Sequence, residues 1–215
     1  MSAAPDGVHP GNGPGVGAET FRRAMASVCT PVSVVTAMAG DRPHGTTVSA
    51  FASLSLNPPM ILVSLDKSSE LLRHVRRTLI FGLNVLHTDQ AALAAGFARK
   101  GDDKFNGISW MLERGVPRLD GCAAWLACSV ERMVTGGDHT VVFGHVVSAA
   151  HAPASPLTYY QRRFGTHLAH RDGDEDQGAP RPLQPGLRYL PGLPDEASSR
   201  PAFVADSLEE LFAFS

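Results

Sequence analysis

Hydrophobic positions change their period several times along the chain, and each change marks an element. Phe21, Met25 and Val28 recur at helical spacing, so a short amphipathic helix is expected from Glu19 to Val28, with Thr20 near its cap and Pro31 ending it. VSVVTAMA (32–39) reads as a strand, and GDRPHG (40–45) as the turn into a second. That second run, Thr46 to Leu56, alternates imperfectly, and Pro58-Pro59 puts its far end at a sheet edge or a bend, because proline donates nothing to a ladder. MILVSL (60–65) is a third strand, apolar on both faces. Ser68 or Ser69 is positioned to cap the next helix, SELLRHVRRT, whose buried stripe is Leu71, Leu72 and Val75. LIFGLNVL (79–86) is a fourth strand, and Thr88 caps a helix over DQAALAAGFAR. Residues 101–121 read as a polar connection carrying Phe105 and Trp110. Two alternating runs, 123–134 and 139–150, flank the turn signal TGGD and form a long hairpin.

About six strands with two or three inserted helices, and no repeating βαβ unit, argue against a doubly wound sheet. The expected class is mainly β with α insertions, a small antiparallel barrel with helices outside. Its limits follow from composition. Residues 1–18 are Gly/Pro-rich and expected to be a disordered arm, the folded domain runs from 19 to 169, and 170–215 is a Pro/Gly-rich acidic tail. DSLEELFAFS at the end of that tail has the pattern of a short amphipathic helix.

Charge sharpens the division. The last 45 residues carry nine acids and four bases, a balance of −5, and the first 170 carry twelve acids and fifteen bases, a balance of +3. A mildly basic body suits phosphorylated small molecules and lacks the strong basic stripe of a nucleic-acid binder. No apolar run has the roughly 18 residues of a membrane span. No secretory signal is visible, and three cysteines without a CxxC pair read as reduced thiols, so a cytoplasmic setting is expected.

The chemistry concentrates in His44 to Ser69. Thr46, Thr47, Ser49, Ser53 and Ser55 crowd among Phe51, Leu54, Leu56, Ile61, Leu62 and Val63, which describes a concave wall rich in hydrogen-bonding groups. Asp66-Lys67-Ser68-Ser69 stands at a helix start, where free N–H groups and the dipole favour an anion, although an ordinary capped helix reads the same way. Phe97-Ala98-Arg99-Lys100, followed by Lys104, is a second basic cluster. In Gly136-Gly137-Asp138-His139 the glycines permit close approach of a planar group beside an imidazole. Tyr159 and Tyr160 offer rings for stacking, with Arg162-Arg163 beside them. No GxGxxG, Walker loop, HExxH, paired Cys/His spacing or GxSxG elbow is present, so no metal site and no hydrolase triad are expected.

In order and spacing, FRRAMASVCTPVSVVTA, HGTTVSAFASLSLNPPMILVSLDKSS, FGLNVL, GFARKGDDKF, GGDHTVVFGHV and PLTYYQRR resemble the flavin reductase components of two-component flavin-dependent monooxygenases, the flavin-reductase-like split-barrel family. The resemblance covers roughly residues 20–165. It implies a six-stranded antiparallel split β-barrel with flanking helices, and a homodimer. It also implies hydride transfer from NADH or NADPH to FMN or FAD, with the reduced flavin passed to a separate monooxygenase. The family's ring-contacting segment falls on Gly45, Thr46, Thr47, Val48, Ser49 and Ala50, with Ser53 following. Its phosphate region falls on Asp66, Lys67, Ser68 and Ser69 and on Phe97, Ala98, Arg99 and Lys100, with Lys104 nearby. The GDH motif associated with nicotinamide falls on Asp138 and His139, with His139 as the catalytic candidate, and Tyr160 matches a C-terminal aromatic. Many members carry Asn or Cys where Val48 stands, and the tail is longer and more acidic than is usual. The alternative is a non-catalytic flavin or haem carrier or sensor on the same barrel; a split-barrel oxidase acting on a phosphorylated vitamer would require a further arginine cluster.

Overall fold

The structure is a computed structural model and describes residues 15–101 and 103–168. Residues 1–14 of the expected 1–18 arm, and the 170–215 tail with its terminal helix, lie outside the described residues.

Chain order runs α1 (Ala18–Met25), β1 (Thr30–Pro31), β2 (Ser33–Ala39), β3 (Arg42–Val48), β4 (Phe51–Leu56), β5 (Pro59–Asp66), α2 (Glu70–Thr78), β6 (Ile80–Val85), a 3₁₀ turn (Thr88–Gln90), α3 (Ala91–Ala98), β7 (Trp110–Glu113), β8 (Val116–Leu119), β9 (Ala124–Gly136), β10 (His139–His151), β11 (Leu157–Tyr160) and β12 (Arg163–Thr166). The fold is mainly β, as the periodicity predicts. Seven strands form one antiparallel sheet in the order β3-β2-β6-β9-β10-β5-β4. The expected count was six. The difference lies in Thr46–Leu56, which is not one strand. Ser49 and Ala50 break it into β3 and β4, which stand at opposite ends of the sheet.

That placement requires strong curvature. Laid flat, seven strands would separate the two edges by about 29 Å. Two linking residues reach about 11 Å. The sheet therefore curls until β3 and β4 meet at the Ser49–Ala50 corner, where Ser64 N–H donates to the Ala50 carbonyl at 2.8 Å.

Inside the curl, Val35, Ala37, Val63, Leu65, Phe81, Leu83 and Val142 pack with Leu71, Leu72 and Val75 of α2. The predicted stripe is therefore what plugs the interior. Outside, Val34 of β2 and Val32 just before it pack with Ala94 and Phe97 of α3 and with Leu157 and Tyr159 of β11. β2 is thus buried on both faces, which is why VSVV shows no alternation.

Three local expectations are corrected. Thr20 lies inside α1, whose N-cap is Gly17. His87, rather than Thr88, caps the turn before α3, through a reciprocal capping box with Gln90. Residues 110–119 form a hairpin whose two turn residues, Arg114 and Gly115, both have positive φ (53° and 79°). The hairpin is latched to the outer face of the sheet by buried polar groups. Asn84 Oδ1 accepts from Leu119 N–H at 2.8 Å, Asn84 Nδ2 donates to the carbonyls of Val34 (3.2 Å) and Pro117 (3.4 Å), and Thr36 Oγ1 donates to Pro117 O at 2.7 Å. Gly82 admits this crossing: a Cβ there would lie 2.5 Å from Thr36 Oγ1. The long β9–β10 hairpin, turning at Gly137–Asp138, stands as predicted. Among the described residues no helix is long and apolar enough to cross a membrane.

Candidate functional site

The predicted residues sort into two clusters. The first is built on β3. Gly45 is buried, and a Cβ at this position would lie 3.0 Å from Phe97 Cε1 and 3.2 Å from Val34 Cγ1; the missing side chain is what lets α3 sit on the strand. Thr47 Oγ1 donates to Ala94 O at 2.7 Å and Thr46 Oγ1 to Phe97 O at 3.4 Å. Lys104 Nζ donates to Gly45 O (3.2 Å) and Phe97 O (3.0 Å). Phe97 is wedged edge-on against Phe105 at 4.9 Å.

These contacts change the roles expected for several side chains. Thr47, Phe97 and Ala98 are buried by α3 docking, and Val48 belongs to the interior core. Lys104 braces two carbonyls. What β3 leaves for a ligand is backbone: it is an edge strand, and an antiparallel ladder to one neighbour engages only alternate residues' N–H and C=O groups. Ser49 is buried at the corner, Ala50 is half-buried, and Ser53 is exposed on the opposite edge strand. Arg99 and Lys100 are exposed just beyond α3.

The second cluster brings the β5–α2 loop against the β9–β10 turn. His139 lies directly across the ladder from Asp66. Asp66 Oδ1 accepts from Ser68 N–H and Ser68 Oγ, both at 2.6 Å, which pulls its carboxyl below the ordinary range; partial burial opposes this, and the nearby His139 adds to it. Ser68 is thereby committed to Asp66. Ser69 occupies the N-cap of α2 but makes no side-chain cap bond. The start of α2 therefore keeps N–H groups that a capping hydroxyl would otherwise have taken, with Lys67 beside them. Lys67 N–H donates to Asp138 O at 3.0 Å, and its ammonium donates to Gly137 O.

Across the turn, His139 Nδ1 and Asp138 Oδ1 lie 2.8 Å apart. This hydrogen bond is the main reason the Asp138 carboxyl sits below its usual range. The His139 side chain is only 15% exposed. Gly137 has φ +59°, and nothing lies within 4 Å of a Cβ built on it, so a flat group can approach the turn closely. Tyr160 stands apart, 45% exposed at the end of β11 in the separate β1-β11-β12 sheet.

Two residues joining the clusters escaped the sequence reading. His44 of β3 and His74 of α2 pack with ring centroids 5.1 Å apart and planes tilted by 52°, tying one cluster's strand to the other's helix. Burial, followed by Arg73 and Arg77, lowers the His74 pKa. Its spacing of three from Leu71 was the available signal: it places His74 beside the apolar stripe. Arg76 Nη2 reaches Thr140 Oγ1 at 3.3 Å, again linking α2 to β10. Among the described residues no three His, Cys, Asp or Glu side chains gather as metal ligands.

A curled antiparallel sheet plugged by one helix, whose uncapped start faces a Gly-Gly-Asp-His turn, defines a protein of the split-barrel flavin-reductase class. The chain belongs to the flavin reductase like domain family, which matches residues 25–167. It is 36% identical over 152 residues to the reductase component of a 4-nitrophenol 4-monooxygenase/4-nitrocatechol 2-monooxygenase from Rhodococcus opacus, covering 71% of this chain and 82% of that one. It is 38% identical over 152 residues to an FMN reductase (NADH) from Agrobacterium fabrum, covering 70% and 87%. The solved NADH:FAD oxidoreductase of Streptomyces globisporus superposes with a TM-score of 0.67 at 31% identity, covering 70% of this chain and 93% of that one.

Proposed function

We propose that this protein is an NADH:flavin oxidoreductase that reduces FMN or FAD and supplies it to a separate monooxygenase. The observation that carries the reading is the meeting of the α2 start with the Asp138–His139 turn on one ladder. The ligands supply the redox chemistry, a hydride passing from nicotinamide C4 to flavin N5. The protein's part is to bind, orient and hold charge.

The open N–H groups at α2 and the Ser69 hydroxyl receive the flavin phosphate, with Arg99 and Lys100 adding positive charge. The outer backbone edge of Gly45–Ala50 faces the ring, and its N–H groups donate toward the carbonyl edge where negative charge builds. An ionised Asp138 favours the His139 tautomer with its proton on Nδ1, which turns Nε2 outward. Neutral, that nitrogen accepts from a carboxamide N–H; protonated, the ring donates to an anionic group. His139 therefore orients the nicotinamide or holds charge.

The site is contained in a domain spanning 19–169, acting as a homodimer in the cytoplasm. Exposed Leu54 and Leu56 on the edge strand β4 support an interface there, and burial that raises the Cys128 thiol to about 12 suits a protein that keeps its thiols reduced.

The test is to mix pure protein, NADH and FMN and to follow the nicotinamide absorbance. Flavin-dependent loss of NADH is expected. No loss with either flavin, and none with NADPH, refutes the reading; pigment retained without turnover would indicate a carrier. His139→Ala is expected to raise the NADH KM more than the flavin KM, and an unchanged NADH dependence removes His139 from the site.

A further inference from the structure

Lys67 stands in the sequence beside a phosphate site, but the fold gives it other work. Its ammonium donates to the Gly137 carbonyl and its backbone N–H to the Asp138 carbonyl, the two turn residues immediately before His139. One residue thus grips both peptides of a turn 70 positions away in the chain. The ladders pair His139 with Gly136 and with Asp66, but beyond that backbone pairing the turn tip has few side chains to fix it. Gly136 and Gly137 have no side chains, Gly137 sits at φ +59° in open space, and Asp138 is exposed. The Asp138 carboxylate is in turn bonded to His139 Nδ1 at 2.8 Å, so the pose of this short segment sets the direction of the imidazole. Opposite, Asp66 keeps the β5–α2 loop closed through Ser68 and is the ladder partner of His139. The loop carrying Lys67 is thus braced by its own side chains, whereas the glycine turn is braced from outside by Lys67.

We propose that Lys67 is a positioning residue for the hydride donor's site, clamping the β9–β10 turn so that His139 presents Nε2 in one orientation, and that it is not a flavin-phosphate ligand. The proposal rests on the reductase reading for its kinetic test, and on the fold alone for its spectroscopic one.

Lys67→Met, Lys67→Arg, His139→Ala and the Lys67→Met/His139→Ala double variant are compared as full chains. Lys67→Met is expected to raise the NADH KM about three- to tenfold, the loss of one charge-assisted hydrogen bond, with the Kd for FMN changed less than about twofold. Lys67→Arg keeps a donor and recovers most of the loss. In the His139→Ala background Lys67→Met adds nothing further to the NADH KM, because the clamp acts through the imidazole. A weakened FMN Kd with an unchanged NADH KM makes Lys67 a phosphate ligand and overturns the proposal, as does full additivity in the double variant. The ring resonance of His139 in the flavin-free protein reads the same clamp without turnover. It is expected to move in Lys67→Met and to stay in Lys67→Arg. If it is unmoved in Lys67→Met the clamp is refuted, whereas a wild-type protein that oxidises no NADH refutes only the reductase reading.

Discussion

Replacing Asn84 by alanine tests what holds the 110–119 hairpin to the sheet. Asn84 is fully buried on β6 and reaches β8 with both ends of its amide. Truncation leaves the Leu119 N–H, a donor with a 2.8 Å bond, without its acceptor in a dry layer. An orphaned buried donor costs about 1–3 kcal/mol. The Nδ2 bonds to Val34 O (3.2 Å) and Thr36 Oγ1 (3.3 Å), and the weaker one to Pro117 O (3.4 Å), amount to about two net bonds, since the amide has two protons, at about 1 kcal/mol each. The expected loss is therefore about 3–5 kcal/mol. For a domain of about 150 residues this lowers Tm by roughly 10 °C. The assay is thermal and urea unfolding of wild type, Asn84→Ala, Thr36→Val and the double variant. Asn84 and Thr36 share a bond and an acceptor, so their effects should fall short of additive. A loss below about 1 kcal/mol for Asn84→Ala, or full additivity with Thr36→Val, refutes the latch.

Gly45→Ala forces a methyl group against Phe97 and Val34 and is expected to cost about 1–3 kcal/mol while raising the flavin KM, read by unfolding and steady-state kinetics. An unchanged Tm would show that α3 can yield. The His74 pKa is held below the ordinary histidine range, chiefly by burial. The unfolded chain therefore binds a proton that the folded chain resists, so stability falls as pH drops below about 6.5 and levels off once the folded state also protonates. His74→Gln should flatten that stretch of the Tm–pH curve relative to wild type; matching curves would remove His74 as the cause.

How much of this was legible differs by element. α2 was clear because Leu71, Leu72 and Val75 repeat at helical spacing and all three are fully buried. The β9–β10 hairpin was clear because a Gly-Gly-Asp signal sits between two long alternating runs. The 110–119 hairpin was hidden: its strands have four residues each, and the buried groups that latch it, Asn84 and Thr36, lie in other strands. The split of Thr46–Leu56 was hidden as well, since no Gly or Pro marks Ser49–Ala50 and the break is imposed by closing the curl. Within the proposed site, residue types singled out the segments, but only the fold separates side chains engaged in structural bonds, such as Thr47, Phe97 and Lys104, from groups left for a ligand. Lys67 carries the same lesson, since its partners are carbonyls 70 residues away.

The β5–β10 ladder has a consequence for when the protein becomes competent. It pairs residues 60–66 with 139–145, whereas β2–β3, β4–β5 and β9–β10 each close across a short turn. Local hairpins form at small entropic cost, and a pairing between segments so distant in the chain is an expensive closure, as β2–β6, β6–β9 and β1–β11 also are. Asp66 and His139 meet only on that expensive ladder. A chain with every hairpin made but this ladder open lacks the proposed site, so a ligand bound across it adds its binding free energy to the finished molecule alone. Nucleotide occupancy therefore reports completed long-range pairing, and in a cell rich in flavin and NADH the finished protein is the one withdrawn from unfolding.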